Sequence, residues 1–132
     1  MYNKVLIIDD DEISIFLTKT ILEVAHFARV FVGFQSAHDA LTELVSALRN
    51  DCTQQLPDII FLDLNMPFMS GWELLDSLLP YENVLRNKCL IYILTSSVDA
   101  SEIEKAAKYK LVTGFLQKPL DEHAIASISK KV

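Results

Sequence analysis

The segment Val5-Leu6-Ile7-Ile8-Asp9-Asp10-Asp11-Glu12 joins four consecutive apolar residues to four consecutive acidic ones. A continuous apolar run of this length is typical of a parallel strand that helices cover on both faces. Further runs of strand length, the last of them weaker, are Val30 to Phe34, Ile59 to Leu62, Leu90 to Leu94 and Gly114 to Gln117. The pattern predicts a buried five-stranded parallel sheet, with carboxylates at the end of its first strand.

Helical patterns lie between these strands. Apolar residues recur along one face of a helix from about Ser36 to Arg49, and Ser70-Gly71-Trp72-Glu73 has the pattern of a capping box. Asp99 and Asp121 are start signals for two more helices. Strand and helix alternate five times, which predicts an α/β fold with a doubly wound parallel sheet and five helices. The segments 50–57 and 80–88 are expected to be loops.

The first helix carries most of its apolar residues on one side. That row, which we expect to face the sheet, consists of Ile13, Phe16, Leu17, Thr20, Ile21 and Val24. Ile15 and Leu22 lie nearly opposite, on the predicted outer side.

Composition limits the class of protein. The chain has 132 residues, a net charge of -6 and 51% hydrophobic residues, which suits one globular domain over 1–132. No apolar run approaches the roughly 18 residues that cross a bilayer, so we expect a cytoplasmic protein without a membrane anchor. The acidic balance argues against direct nucleic-acid binding. Cys52 and Cys89 have no metal-binding spacing, and both are expected to be free thiols.

Polar residues follow the ends of the predicted strands. In an open parallel sheet, ligands bind beyond these carboxyl ends. The residues are Asp9, Asp10, Asp63, Thr95, Ser96, Ser97 and Lys118. Two carboxylates about 5 Å apart repel each other by about 3 kcal/mol at an effective dielectric constant of about 20. Such a cluster favours either protonation or a bound cation, and hard oxygen ligands suit Mg²⁺.

Four motifs resemble, in order and spacing, the receiver domain of bacterial two-component response regulators. They are Val5 to Asp11, Phe61 to Pro67 followed by Gly71, Ile93 to Ser96, and Phe115 to Pro119. The resemblance covers essentially the whole chain and implies a flavodoxin-like fold with strand order 2-1-3-4-5. It also implies phosphorelay signalling with a sensor histidine kinase or histidine phosphotransfer protein as donor, and a monomer or a phosphorylation-dependent dimer.

The resemblance assigns roles to individual residues. Asp63 corresponds to the phosphoacceptor, Thr95 and Lys118 to the groups that contact the phosphoryl group, and the Lys118–Pro119 bond is expected to be cis. The implied Mg²⁺ ligands are Asp9, Asp10, Asp63 and the backbone carbonyl of Asn65. Thr95 and Phe115 correspond to the switch pair, with Phe115 in place of the frequent tyrosine.

Other interpretations remain open. A Mg²⁺-dependent phosphohydrolase on a similar sheet would need a residue that activates water, and a degenerate receiver would act only as a binding module. Asp11 is expected to cap the first helix rather than bind metal. Gly71 is expected to permit a turn, and Trp72 to pack the third helix on the sheet. Ile15, if it is on the outer side, is a candidate contact for the phosphodonor protein.

Overall fold

A computed structural model describes residues 1–97 and 99–129 of the chain. Its sheet has five parallel strands: β1 (Tyr2–Ile8), β2 (Ala28–Phe34), β3 (Ile59–Leu62), β4 (Leu90–Thr95) and β5 (Val112–Gln117). Their order is β2-β1-β3-β4-β5, as the resemblance implied. The register places Ile8 opposite both Phe34 and Leu62, so β1, β2 and β3 end at the same level. The carboxyl ends of these strands therefore form one edge.

Helices connect the strands and follow the last one. They are α1 (Glu12–Val24), α2 (Ala37–Arg49), α3 (Gly71–Leu78), α4 (Glu82–Lys88), α5 (Ala100–Ala107) and α6 (Glu122–Ser129). Asp11, Ser36 and Asp99 accept hydrogen bonds from backbone amides in the first turns of α1, α2 and α5. Ser70 and Glu73 form the predicted capping box at the start of α3. These caps satisfy amides that have no partner inside their own helix.

The connection between β3 and β4 contains two helices, separated near Pro80. A 3-10 turn over Leu79–Tyr81 separates α3 from the short helix α4. The loop predicted for 80–88 is therefore wrong, because residues 82–88 are helical and Leu85 is fully buried in the core. The loop predicted for 50–57 holds, apart from a 3-10 turn over Thr53–Gln55.

The sheet has a core on each face. On one side, Leu6, Ile8, Ile60 and Leu62 pack with buried residues of α2, α3 and α4. On the other side, Val5, Ile7, Ile59 and Phe61 pack with residues of α1 and α6. Because alternate side chains of each strand enter opposite cores, the continuous apolar runs of the central strands β1, β3 and β4 are buried on both faces. Among the residues from 1 to 97 and 99 to 129, we find no helix whose length and apolar character would let it cross a membrane.

The predicted orientation of α1 is wrong. Leu22 is 0% exposed and Thr18 is also buried, whereas Ile13 and Phe16 are 69% and 59% exposed. Ile15 packs against the core on this side of the sheet. A Cβ atom at Gly33 would lie 2.7 Å from the Ile15 Cγ2, so the glycine in β2 leaves the space that Ile15 occupies. The smaller apolar row faces the sheet, and the larger row faces solvent except at Ile21, which packs against the same core.

Candidate functional site

Backbone hydrogen bonds place the polar residues at the carboxyl edge of the sheet. The Asp9 amide donates to the Phe34 carbonyl at 3.0 Å, and the Asp63 amide donates to the Ile8 carbonyl at 2.9 Å. The Lys118 amide donates to the Thr95 carbonyl at 2.8 Å. Each bond extends a strand pairing by one residue, so four strands deliver their side chains to the same edge.

Lys118 lies between two carboxylates. Its Nζ donates to Oδ2 of Asp9 and lies 3.5 Å from Oδ2 of Asp63. Asp9 is almost completely buried, and its Oδ1 accepts from the Asp11 amide at 3.0 Å. Both oxygens of the Asp9 carboxylate therefore have partners, as a buried charge requires.

The carboxylates of Asp9, Asp10 and Asp63 form a candidate metal site. Each offers an oxygen, and the three oxygens all lie within 4.8 Å of one another. Three carboxylates and the single ammonium of Lys118 leave two net negative charges if all are ionised. This charge matches a divalent cation, and an all-oxygen donor set is the one that Mg²⁺ prefers. The residues present therefore fit the ion that the resemblance implies.

The electrostatics of Asp63 reflect its position at the edge of the core. Burial raises the pKa of the Asp63 carboxyl, the nearby Lys118 opposes that rise, and the charge of Asp9 adds to it; the pKa is raised overall. The Leu64 amide donates to Asp63 Oδ1 at 2.9 Å. Oδ1 is thus held by the backbone, and Oδ2 faces the lysine.

Thr95 ends β4 at the same edge of the sheet and is buried. Its Oγ1 accepts from the Ser97 amide at 3.4 Å, while Ser96 and Ser97 are exposed. The peptide bond between Lys118 and Pro119 is cis. Lys118 follows the end of β5, the strand that pairs with β4 and Thr95.

Two further predicted residues flank this group. Asn65 lies exposed in the loop after β3, and its role as a carbonyl ligand stays a prediction. Phe115 in β5 is half-buried and packs against a small cluster formed by Leu64, Ile93 and Ala106. That cluster joins the residue after Asp63 to α5, and the role of Phe115 in a switch stays a prediction.

Two neighbouring residues have structural roles. Asp11 caps α1, and its Oδ1 accepts from the Ile13 amide at 2.9 Å, as predicted. Gly71 ends the loop after β3, where its amide donates to the Leu64 carbonyl at 2.9 Å, although its φ is not positive. A Cβ atom there would lie 2.5 Å from the Asp63 carbonyl oxygen. Gly71 thus lets α3 begin directly against the backbone of Asp63.

Phe68 is a residue that the sequence reasoning missed. It has a φ of 68°, and its side chain is fully exposed in the loop between β3 and α3. The only signal was an aromatic residue between Pro67 and Met69 in a predicted loop, which by itself indicates no role.

Comparisons with known proteins agree with this geometry. The family model described as the response regulator receiver domain matches residues 5–130. A two-component response regulator from Cytophaga hutchinsonii has a similar structure, with a TM-score of 0.87 and 31% identity over 98% of this chain and 96% of that one. A response regulator receiver protein from Dyadobacter fermentans gives a TM-score of 0.81 and 26% identity, over 97% of this chain and 95% of that one.

A curated relative is much longer than this chain. Hybrid signal transduction histidine kinase D of Dictyostelium discoideum is 33% identical over 107 residues, which are 80% of this chain. The match spans only 6% of the length of that kinase.

Proposed function

Because the chain belongs to the response regulator receiver domain family, we propose that it accepts a phosphoryl group on Asp63 from a phosphohistidine donor. The reaction depends on Mg²⁺ and switches a protein-binding surface. In this proposal the chain is a phosphoacceptor in a phosphorelay and does not turn over an external substrate. The donor is a sensor histidine kinase or a histidine phosphotransfer protein.

The observation that carries the proposal is that Asp63 lies close to a lysine and to two further carboxylates. An Asp63 oxygen attacks phosphorus, and the bond between phosphorus and the donor imidazole nitrogen breaks with its electron pair remaining on that nitrogen. In this proposal Lys118 contacts an oxygen of the transferred group, and Thr95 donates its hydroxyl hydrogen to another. These contacts stabilise charge that develops on the phosphoryl oxygens.

Asp9, Asp10 and Asp63 would hold the metal, with the carbonyl of Asn65 as a further ligand. A bound Mg²⁺ would supply positive charge against the phosphoryl oxygens. Within the protein, Asp9 keeps Lys118 beside Asp63, and the Leu64 amide keeps the Asp63 carboxylate oriented.

The exposed row of α1 is the proposed docking face for the donor protein. Ile13 follows the acidic segment directly, and Phe16, Leu17 and Val24 continue the row along the helix, all more than half exposed. A contiguous apolar row beside a reactive carboxylate is a surface that a helix of a partner can cover. This row replaces Ile15, which packs inward.

Labelling with a small phosphodonor tests the proposal directly. With Mg²⁺ and acetyl phosphate, the wild-type protein is expected to gain one hydroxylamine-labile phosphoryl group, measured by intact-mass spectrometry. Asp63→Asn should abolish labelling, and Asp10→Asn or chelation of the metal should slow it by at least about tenfold. Lys118→Ala should impair transfer while leaving the nucleophile in place.

Asp51→Asn is the matched control, because Asp51 is an exposed aspartate away from the site with a left-handed φ of 57° that asparagine tolerates. It should be labelled like the wild type. Unchanged labelling of Asp63→Asn would place the acceptor elsewhere. Hydrolysis of a phosphate ester by the wild type, without labelling, would instead favour the phosphohydrolase, and a lack of both activities would favour the binding module.

A further inference from the structure

Phe68 occupies a conformation that its residue type disfavours. Its φ of 68° lies in the left-handed region, where the Cβ atom of a bulky residue crowds the backbone. Phe68 is fully exposed, so the ring gains nothing from burial in the fold. Glycine or asparagine would suit this backbone better. Strain and exposure together indicate that Phe68 contacts another molecule.

The position of Phe68 limits what that role is. Phe68 and Asp10 line the same open cleft of about 580 Å³, together with Asp39 at the start of α2. Phe68 also belongs to the loop that carries Asn65, between the end of β3 and the start of α3. The ring therefore stands at the rim of the acidic edge, beside a candidate metal ligand.

We propose that Phe68 determines specificity for the donor protein: its ring inserts into an apolar depression on the protein that carries the phosphohistidine. This inference rests on the proposed function. The described residues that line the cleft include Asp10 and Asp39 and no lysine or arginine. Charge complementarity therefore requires basic side chains around that depression on the donor.

The exposure of the Phe68 ring favours a docking contact over a lid that covers the site. A ring that shielded Asp63 from water would fold over the site and be partly buried. Phe68 is instead fully exposed, as is expected for an aromatic anchor that is buried only in a complex. A small phosphodonor such as acetyl phosphate has no surface to take the ring, so its reaction does not use Phe68.

Phosphotransfer with two kinds of donor tests the inference. The protein donor is the autophosphorylated histidine kinase that transfers fastest to the wild type in a purified panel, and the small donor is acetyl phosphate. Phe68→Gly should slow transfer from the kinase by about tenfold or more and leave acetyl phosphate labelling unchanged. Because glycine accepts the left-handed backbone, this variant should melt at or above the wild-type temperature. Phe68→Tyr should keep rapid transfer.

Leu79→Ala is the matched control, since Leu79 is a 43% exposed apolar residue just beyond the far end of α3. It should transfer at the wild-type rate. Wild-type transfer by Phe68→Gly would overturn the inference, and so would an equal loss with both donors, which would make the loop part of the site itself. In either case Asp63 labelling of the wild type would leave the proposed function standing. A wild-type chain that no donor labels would instead refute the proposed function.

Discussion

Asp9 has two structural tasks at the residue scale. One carboxylate oxygen accepts from Lys118 and the other accepts from the Asp11 amide, at the point where the chain turns from β1 into α1. Asp9 therefore positions both Lys118 and Asp11, the residue that caps the start of α1. Since Asp9 is buried, removing its charge would leave the Lys118 ammonium with only Asp63 as an ionic partner at this edge among the described residues.

The two cysteines differ in what surrounds them, and this difference predicts their reactivity. Burial raises the pKa of Cys89 to about 12, and its Sγ donates to the Pro57 carbonyl at 2.9 Å. Cys52 is half-buried. Because the thiolate is the reactive form, Cys52 should react rapidly with a thiol reagent in the folded protein and Cys89 only after unfolding. In Cys52→Ser, rapid reaction of one thiol without denaturant would contradict this expectation.

Cys89 also predicts a pH dependence of stability. Above about pH 9 the thiol ionises in the unfolded chain, while the folded protein keeps it protonated up to about pH 12. The native state then binds more protons than the unfolded state, so its stability should fall as the pH rises through this window. Urea unfolding between pH 8 and 11 measures the slope, which should be smaller in Cys89→Ala.

At the scale of elements, α1 has two apolar rows, and only one of them is buried against the sheet. Leu22→Ala should lower the free energy of unfolding by about 2 to 5 kcal/mol, because Leu22 is fully buried against the sheet. Phe16→Ala should change it by no more than about 0.5 kcal/mol, because Phe16 is exposed. Denaturant unfolding measures both. Destabilisation by Phe16→Ala as large as that by Leu22→Ala would contradict the observed orientation. Phe16→Ala should still slow transfer from a histidine kinase, while acetyl phosphate labelling is unchanged.

The orientation of α1 shows where inference from the sequence ends. Helical periodicity identifies which residues share a face, and it separated the two rows correctly except at Ile21, which packs in the core beside Leu22. It does not say which row faces the sheet, because that depends on how the chain leaves β1 and on the space beside Gly33 in β2. Where a helix has one strong row, as α2 does, with buried Ala37, Ala40 and Leu44, the periodicity was sufficient.

For the strands, the short helix α4 and the site, the sequence pattern likewise predicted some features and missed others. Continuous apolar runs located all the strands, and those of β1, β3 and β4 are buried on both faces. The residues directly after the runs are the ones gathered at the edge. The helix α4 was missed because Leu85 is the one buried anchor in its seven residues. Phe68 was missed because a left-handed φ and full exposure are properties of the folded loop.

At the scale of the whole molecule, the acidic edge is connected to α5 by packing. Leu64 follows Asp63 and packs with Ile93 and Ala106, and Phe115 and Trp72 pack against the same cluster. Trp72 in turn stacks on Tyr109, with ring centroids 5.6 Å apart, and Lys105 Nζ lies 4.4 Å from the centre of the Trp72 ring. A structural change at Asp63 would therefore occur next to the contacts that pack α5 and β5 against α3.

Tyr109 strengthens the connection between α3 and the segment after α5. Its hydroxyl donates to Asp76 Oδ1 at 2.7 Å, and burial together with this carboxylate raises the pKa of Tyr109 to about 12. The phenol stays protonated over the physiological range and keeps donating to Asp76. The helix α5 is thus tied to α3 by stacking, by a cation over a ring and by a hydrogen bond.

The last prediction concerns the transmission of phosphorylation through these contacts. A phosphoryl group on Asp63 offers Thr95 new acceptor oxygens, and inward movement of Thr95 leaves space that the half-buried ring of Phe115 can fill. Labelling with acetyl phosphate should then shift NMR signals around Phe115 and over Ile103 to Tyr109, and change the fluorescence of Trp72, the single tryptophan. Thr95→Val should uncouple these shifts from labelling, with Asp63→Asn as the unlabelled control. Shifts confined to the neighbours of Asp63 in the wild type would show that the cluster transmits nothing, because a ring that packs against Leu64 and Ala106 cannot move without altering the environment of α5.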